Sequence, residues 1–248
     1  MKLQLLGTAD VRQVPVYGCD CRACRRARRE PAAVRRPCSA LLAVAGERYL
    51  IDGGLSDLCE RFPPGTLQGI LLTHYHMDHV QGLFHLRWGK AEPLPVYGPD
   101  DPDGCADLYK HPGMLSFQPP LEPFQPLQLG AVELVPLPLA HSKPTFGYLF
   151  RAAGSSAAYL TDTKGLPPET ERFLQQQSPD LLVIDCSSPP GVANRNHNNL
   201  DEVLAIRRAV NPHRLVLTHL SHKMDLWLLD NPLPAGVVAG HDGMCLEL

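Results

Sequence analysis

The chain has 248 residues, of which 44% are hydrophobic, and a formal net charge of −3. That length and composition suit one large α/β domain with a sizeable core, and the near-neutral charge supplies no global field to draw it onto nucleic acid or an anionic membrane. The apolar run at Leu3–Leu6 is too short for a signal peptide and no long apolar stretch follows, so a cytoplasmic protein without membrane contact is expected.

Short apolar runs rich in Val, Ile, Leu and Tyr read as strands. In chain order they are Leu3–Leu6, Ala40–Ala45, Tyr49–Ile51, Ile70–Thr73, Val132–Leu139, Phe146–Phe150, Ala157–Thr161, Leu181–Asp185, Leu215–Thr218 and Val237–Ala239. Helical patterns are fewer: Pro168–Gln177, Asn199–Val210 with Asn198 or Asn199 as cap, and shorter pieces near Ser56–Arg61 and Asp103–Tyr109. Strands come in runs, with helices between them and no strict βαβ alternation. That order suits two sheets packed face to face with helices outside, in one domain spanning residues 1–248.

The eight cysteines are expected to be thiols or metal ligands rather than disulfides. Cys38, Cys59, Cys105, Cys186 and Cys245 are scattered and read as small buried residues without a function. Cys19, Cys21 and Cys24 instead crowd one loop near residues 18–25. A short loop can give three thiolates to a tetrahedral zinc ion, with the fourth ligand from elsewhere. His222 is the expected fourth ligand; by spacing alone Asp20 or His241 would also serve. Three unliganded buried thiols are the plainer alternative.

The segment Thr73-His74-Tyr75-His76-Met77-Asp78-His79 follows the apolar run Ile70-Leu71-Leu72. In an extended chain residues two apart face the same side, so His74 and His76 can share one metal. Asp78 and His79 are adjacent and diverge, which suits a second metal beside the first. Imidazole with carboxylate fits zinc, manganese or iron rather than calcium. Packing explains such a cluster poorly, because burying these groups without a cation is costly.

His74-x-His76-x-Asp78-His79 resembles the signature of the metallo-β-lactamase superfamily. The resemblance implies an α/β fold, the αββα four-layer sandwich, with two metals at the sheet edge. It calls for a distant histidine, an aspartate after a strand and a late histidine; His141, Asp162 and His219 each follow an apolar run in that order. His74, His76 and His141 would then hold one metal, Asp78, His79 and His219 the other, and Asp162 would bridge them. Asp52-Gly53-Gly54 follows Tyr49–Ile51, and Asp52 is expected to orient a ligand histidine, although an Asp-Gly turn is a sufficient local reading.

The cysteine loop narrows the resemblance. Gly18-Cys19-x-Cys21-x-x-Cys24, the stretch Leu71–Phe84, Leu86-Arg87-Trp88-Gly89, Pro95–Pro99, His141-Ser142-Lys143 and Arg195-Asn196-His197 are similar to the PhnP family of phosphodiesterases in the carbon–phosphorus lyase pathway of phosphonate catabolism. That implies hydrolysis of 5-phospho-α-D-ribosyl 1,2-cyclic phosphate to ribose 1,5-bisphosphate by a metal-bridged hydroxide, formed from a bound water whose pKa two ions would bring from 15.7 toward ~7. It also implies two manganese ions (or zinc or iron) at the catalytic pair, one structural zinc at the cysteines, and a homodimer. His197 is the expected general acid, counted with Asp78 as catalytic, and Lys143 and Arg195 are candidate contacts for the 5-phosphate.

The expected partner is thus a small phosphodiester. Three other readings stand beside this one. The dense run Arg22, Arg25, Arg26, Arg28, Arg29, Arg35 and Arg36 would suit a tRNA-processing ribonuclease of the same superfamily, although a solvated helical face explains it as well. One metal centre also serves thioester hydrolases and lactamases. A similar cysteine loop occurs in proteins of pyrroloquinoline quinone biosynthesis, which makes a non-catalytic zinc-stapled protein the reading from another class.

Overall fold

A computed structural model describes residues 1–248. The first sheet contains β1 (Lys2–Gly7), β2 (Ser39–Val44), β3 (Glu47–Ile51), β4 (Gly69–Leu71), β5 (Leu94–Tyr97) and β6 (Leu115–Phe117). The second contains β7 (Leu127–Leu129), β8 (Val132–Pro138), β9 (Phe146–Ala152), β10 (Ser155–Leu160), β11 (Leu181–Asp185), β12 (Arg214–Thr218) and β13 (Val237–Ala239). The last strand, β14 (Cys245–Glu247), returns to the edge of the first sheet beside β1. Spatial order is β14-β1-β2-β3-β4-β5-β6 in one sheet and β13-β12-β11-β10-β9-β8-β7 in the other.

The helices are α1 (Arg22–Arg29), α2 (Leu58–Arg61), α3 (Met77–Val80), α4 (Leu83–Leu86), α5 (Ala106–Lys110), α6 (Pro168–Gln177), α7 (Leu200–Val210) and α8 (His222–Leu228). One apolar core lies between the sheets, joining Leu3, Leu42, Ile51 and Leu71 to Leu134, Tyr148, Tyr159 and Val183. A second packs α6, α7 and α8 on the outer face of the second sheet through Leu174, Val203, Ile206 and Met224. A third packs α2, α4 and α5 on the outer face of the first through Leu58, Leu83 and Leu108. This is the αββα sandwich. No helix is long and apolar enough to cross a membrane.

Several elements were not foreseen. Pro95 interrupts the apolar pattern of β5, and β6, β7 and β14 are three-residue strands at or near sheet edges. Helix α1, by contrast, is the solvated helical face expected of the basic run: it buries Ala23, Cys24 and Ala27 and turns five arginines outward. The arginines of the basic run are largely engaged within the chain: Arg22 with Asp230, Arg25 with Asp20, Arg26 with Glu30 and Arg35 with Asp225. Arg28 donates to the carbonyls of Val16 and Cys19. The cap of α7 is Asn199, which forms a reciprocal capping box with Glu202.

Chain direction gathers the polar residues. Strands β3 to β6 run parallel, and β8, β10, β11, β12 and β13 point one way because β9 is antiparallel to both of its neighbours. The Phe146 N–H donates to the Thr73 carbonyl at 2.9 Å and joins the two sheets beside the histidine motif. Beneath that motif Gly53 N–H bonds His79 O at 2.7 Å, and a Cβ on Gly54 would overlap the Asp78 carbonyl oxygen. Gly54→Ala should therefore push the His76–His79 loop off its seat and cost about 1–3 kcal/mol of stability in chemical denaturation; native stability in that variant would show that the close approach is dispensable.

Candidate metal centre

The clustered side chains lie at strand ends. Asp52 follows β3, His74 lies just beyond β4, His141 beyond β8, Asp162 beyond β10 and His219 directly after β12; Asp185 closes β11. His76 caps α3, which carries Asp78 and His79. His74, Asp78, His79, Asp162 and His219 are buried.

Three ring nitrogens converge on one side. His74 Nε2 lies 2.9 Å and His141 Nε2 3.1 Å from His76 Nδ1. On the other side, Asp78 Oδ2 lies 3.5 Å from His79 Nε2 and 4.0 Å from His219 Nε2. Asp162 Oδ2 sits between the groups, 3.8 Å from the Nε2 atoms of His74 and His141, 3.5 Å from that of His79 and 3.3 Å from that of His219. The donor atoms thus form two groups with the Asp162 carboxylate between them.

The electrostatics favour positive charge at the centre of the cluster. Burial, reinforced by the neighbouring His79, pushes the His74 pKa well down, and burial also lowers His76 and His141. These three imidazoles turn neutral lone pairs toward one point. Burial opposes charge on His79, but Asp52 and Asp162 outweigh it and raise its pKa well above the usual range. His219 is raised in the same way against burial, chiefly by Asp162 and Asp185. Yet His79 Nε2 and His219 Nε2 are buried without any hydrogen-bond partner. Buried polar nitrogens are rarely left so. Donors about 2.0–2.1 Å from a tetrahedral ion lie ~3.3 Å apart, close to the spacings here, so the residues fit divalent metals.

The opposite edges of the rings are held by the protein. Asp52 accepts from His79 Nδ1 at 2.8 Å, from Thr73 N–H at 2.8 Å and from the Thr73 hydroxyl at 2.9 Å. Thr73 Oγ1 also lies 3.0 Å from His74 Nδ1. His219 adopts φ 56°, a left-handed conformation uncommon for a residue with a Cβ. It is held there by Leu220 N–H on Thr8 O at 2.7 Å and by the Ser187 hydroxyl near its carbonyl at 2.9 Å.

His197 lies beside this cluster, with its ring stacked on His219 at 4.8 Å and 5.3 Å from that of His141. Its Nδ1 is 2.8 Å from Asp185 Oδ2. Asp185, fully buried, was not singled out in the sequence, although it closes an apolar run just as the other cluster residues follow theirs. Lys143 is not free: its Nζ pairs with the buried Asp101 at 3.1 Å. Arg195 is exposed and forms no ion pair. In the cysteine loop, His222 Nδ1 lies 3.4, 3.7 and 3.7 Å from the sulfurs of Cys19, Cys21 and Cys24. A tetrahedral zinc places sulfur and nitrogen ligands ~3.6 Å apart. Asp20 instead pairs with Arg25, and the exposed His241 faces the Asp242 carbonyl. Of the remaining five cysteines, Cys38 and Cys186 are buried as expected, whereas Cys105 is half-buried and Cys59 and Cys245 are exposed.

Residues 47–220 match the family model of the β-lactamase superfamily domain. The chain is 30% identical to a Porphyromonas gingivalis protein named octanoyltransferase over 98% of its own length, but spans only 51% of that protein. It is 26% identical to coenzyme PQQ synthesis protein B of Methylobacterium radiotolerans, with 100% of each chain covered. The crystal structure of a diphosphatase from the PhnP family superposes with a TM-score of 0.84 at 26% identity, covering 99% of this chain and 96% of that one.

The Asp52 contacts yield a direct prediction. In Asp52→Asn, the amide can meet His79 Nδ1 as a donor, which would move the imidazole proton to Nε2 and occupy the lone pair that faces the cluster. Metal retention should fall by about 10–100-fold against a graded chelator; retention equal to the native protein would contradict the orienting role.

Proposed function

The chain belongs to the metallo-β-lactamase superfamily, and on that premise we propose that it is a phosphodiesterase that hydrolyses 5-phospho-α-D-ribosyl 1,2-cyclic phosphate to ribose 1,5-bisphosphate. In this reading His74, His76 and His141 hold one ion, and Asp78, His79 and His219 hold the other. Asp162 would be shared by the two groups, and Cys19, Cys21, Cys24 and His222 would hold a structural zinc. Manganese at the pair is our assignment from the family resemblance, since the mixed imidazole and carboxylate donors accept zinc and iron as well, whereas thiolates prefer zinc. The observation that carries the reading is the pairing of an orphaned two-group donor cluster with one histidine outside it, His197, braced by a buried carboxylate.

When bound, two such ions supply an acidified water and neutralise charge on the phosphoryl oxygens. The chain supplies the rest. Asp52 and Thr73 hold His79 and His74 in place. Asp185 fixes His197 through Nδ1, which leaves Nε2 to deliver a proton to the departing sugar oxygen as its bond to phosphorus breaks. A sugar alkoxide is a poor leaving group, so this proton matters. Lys143, steadied by Asp101, and the exposed Arg195 are the cations we assign to the second phosphate of the substrate. The engagement of most of the arginine run within the chain counts against an RNA-binding arm.

The test is a substrate panel in added manganese: the ribosyl cyclic phosphate, a 2′,3′-cyclic nucleotide, a nitrophenyl diester, a short RNA and a thioester. Preference for the first is expected, whereas preference for RNA or the thioester, or no turnover at all, would overturn the reading. His197→Ala should slow the cyclic sugar phosphate by about 10²-fold or more and the nitrophenyl diester far less, since nitrophenolate leaves without a proton. Equal losses on both would remove His197 as the acid.

A further inference from the structure

We infer that Ser187 is a positioning residue that links His219 to Asp185, so that one carboxylate braces both the ligand and the acid of the proposed reaction; the inference rests on the reading of His219 as a metal ligand. Ser187 has no part in the motif that carries the family resemblance. It follows β11 by two residues and is 2% exposed, between Asp185 at 0% and His219 at 1%.

Its hydroxyl oxygen lies 2.9 Å from His219 Nδ1 and 3.1 Å from Asp185 Oδ1. The other Asp185 oxygen, Oδ2, takes His197 Nδ1 at 2.8 Å and the Thr163 N–H at 3.2 Å. His219 Nδ1 lies 3.6 Å from Asp185 Oδ1, beyond a direct hydrogen bond. Ser187 is therefore the group that satisfies His219 Nδ1.

With His219 Nε2 committed to an ion, the imidazole proton sits on Nδ1 and donates to Ser187 Oγ. The Ser187 hydroxyl then gives its own proton to Asp185 Oδ1 or to the His219 carbonyl, both within reach. In that arrangement the Nε2 lone pair faces Asp78 and Asp162. Ser187 is itself held from both sides. Its N–H donates to Asp185 Oδ1 at 3.1 Å, and its carbonyl accepts from the Ser221 hydroxyl at 2.5 Å. Ser221 in turn caps α8, the helix that begins with His222.

The experiment challenges metal-loaded protein with a graded chelator and follows ion content and thermal unfolding of the stripped protein. Ser187→Ala should weaken one ion of the catalytic pair about 10–100-fold while leaving the unfolding of the stripped protein nearly unchanged. Ser187→Thr, which keeps the hydroxyl, should hold both ions near native affinity. Native retention in the alanine variant, or equal loss in the threonine variant, overturns the inference. His219→Ala, run alongside, separates the levels: ion loss there with none in Ser187→Ala overturns the role of Ser187 alone. Full retention in both overturns the assignment of His219 as well.

Discussion

The structure turns on a set of buried donor atoms that cannot satisfy one another. Asp52, Asp162 and Asp185 are essentially sealed from solvent, as are His74, His79 and His219. Uncompensated, groups of this kind cost several kcal/mol each to bury. The outward-facing nitrogens are compensated, His79 Nδ1 by Asp52 and His219 Nδ1 by Ser187. The inward-facing Nε2 atoms of the same two rings are not. The protein thus fixes the direction of each ring and leaves the shared centre for a cation to complete.

Much of the surrounding architecture follows from holding these groups in place. Parallel strands bring their carboxyl ends to one edge, where β3, β4, β10 and β12 each lead into a cluster residue and β11 ends on Asp185. The tight approach of Gly53 and Gly54 seats the His76–His79 loop. The thiol cluster belongs to the same scheme, because His222 follows the strained His219 by three residues. Between them, Leu220 is bridged to Ala9, and Arg35 ties Asp225 of α8 to Thr8 of the N-terminal segment. An ion at the cysteines would hold the start of α8, and so the exit from β12, against the N-terminal loop.

How much of this was legible in the sequence depended on the range of the interaction. The long strands showed because one face, and for β11 both faces, is apolar, and the N-cap of α7 was narrowed to Asn198 or Asn199 because a cap is a local signal. The histidine motif was legible from its density. His141, Asp162 and His219 became visible only through their order, since none has a local signal. Asp185 and Ser187 escaped because their partners, His197 and His219, lie far along the chain. The pairing of Lys143 with Asp101 escaped for the same reason, as it joins loops of the two different sheets.

The central claim is that the histidine cluster, not the thiol loop, holds the ions that act on the substrate. The most direct measurement is element-resolved metal content per chain, with turnover of the ribosyl cyclic phosphate, in the native protein and in His76→Ala. The account predicts that the variant loses metal from the catalytic pair, keeps the thiol-bound zinc and falls to background turnover. Native metal content and native turnover in His76→Ala would contradict it.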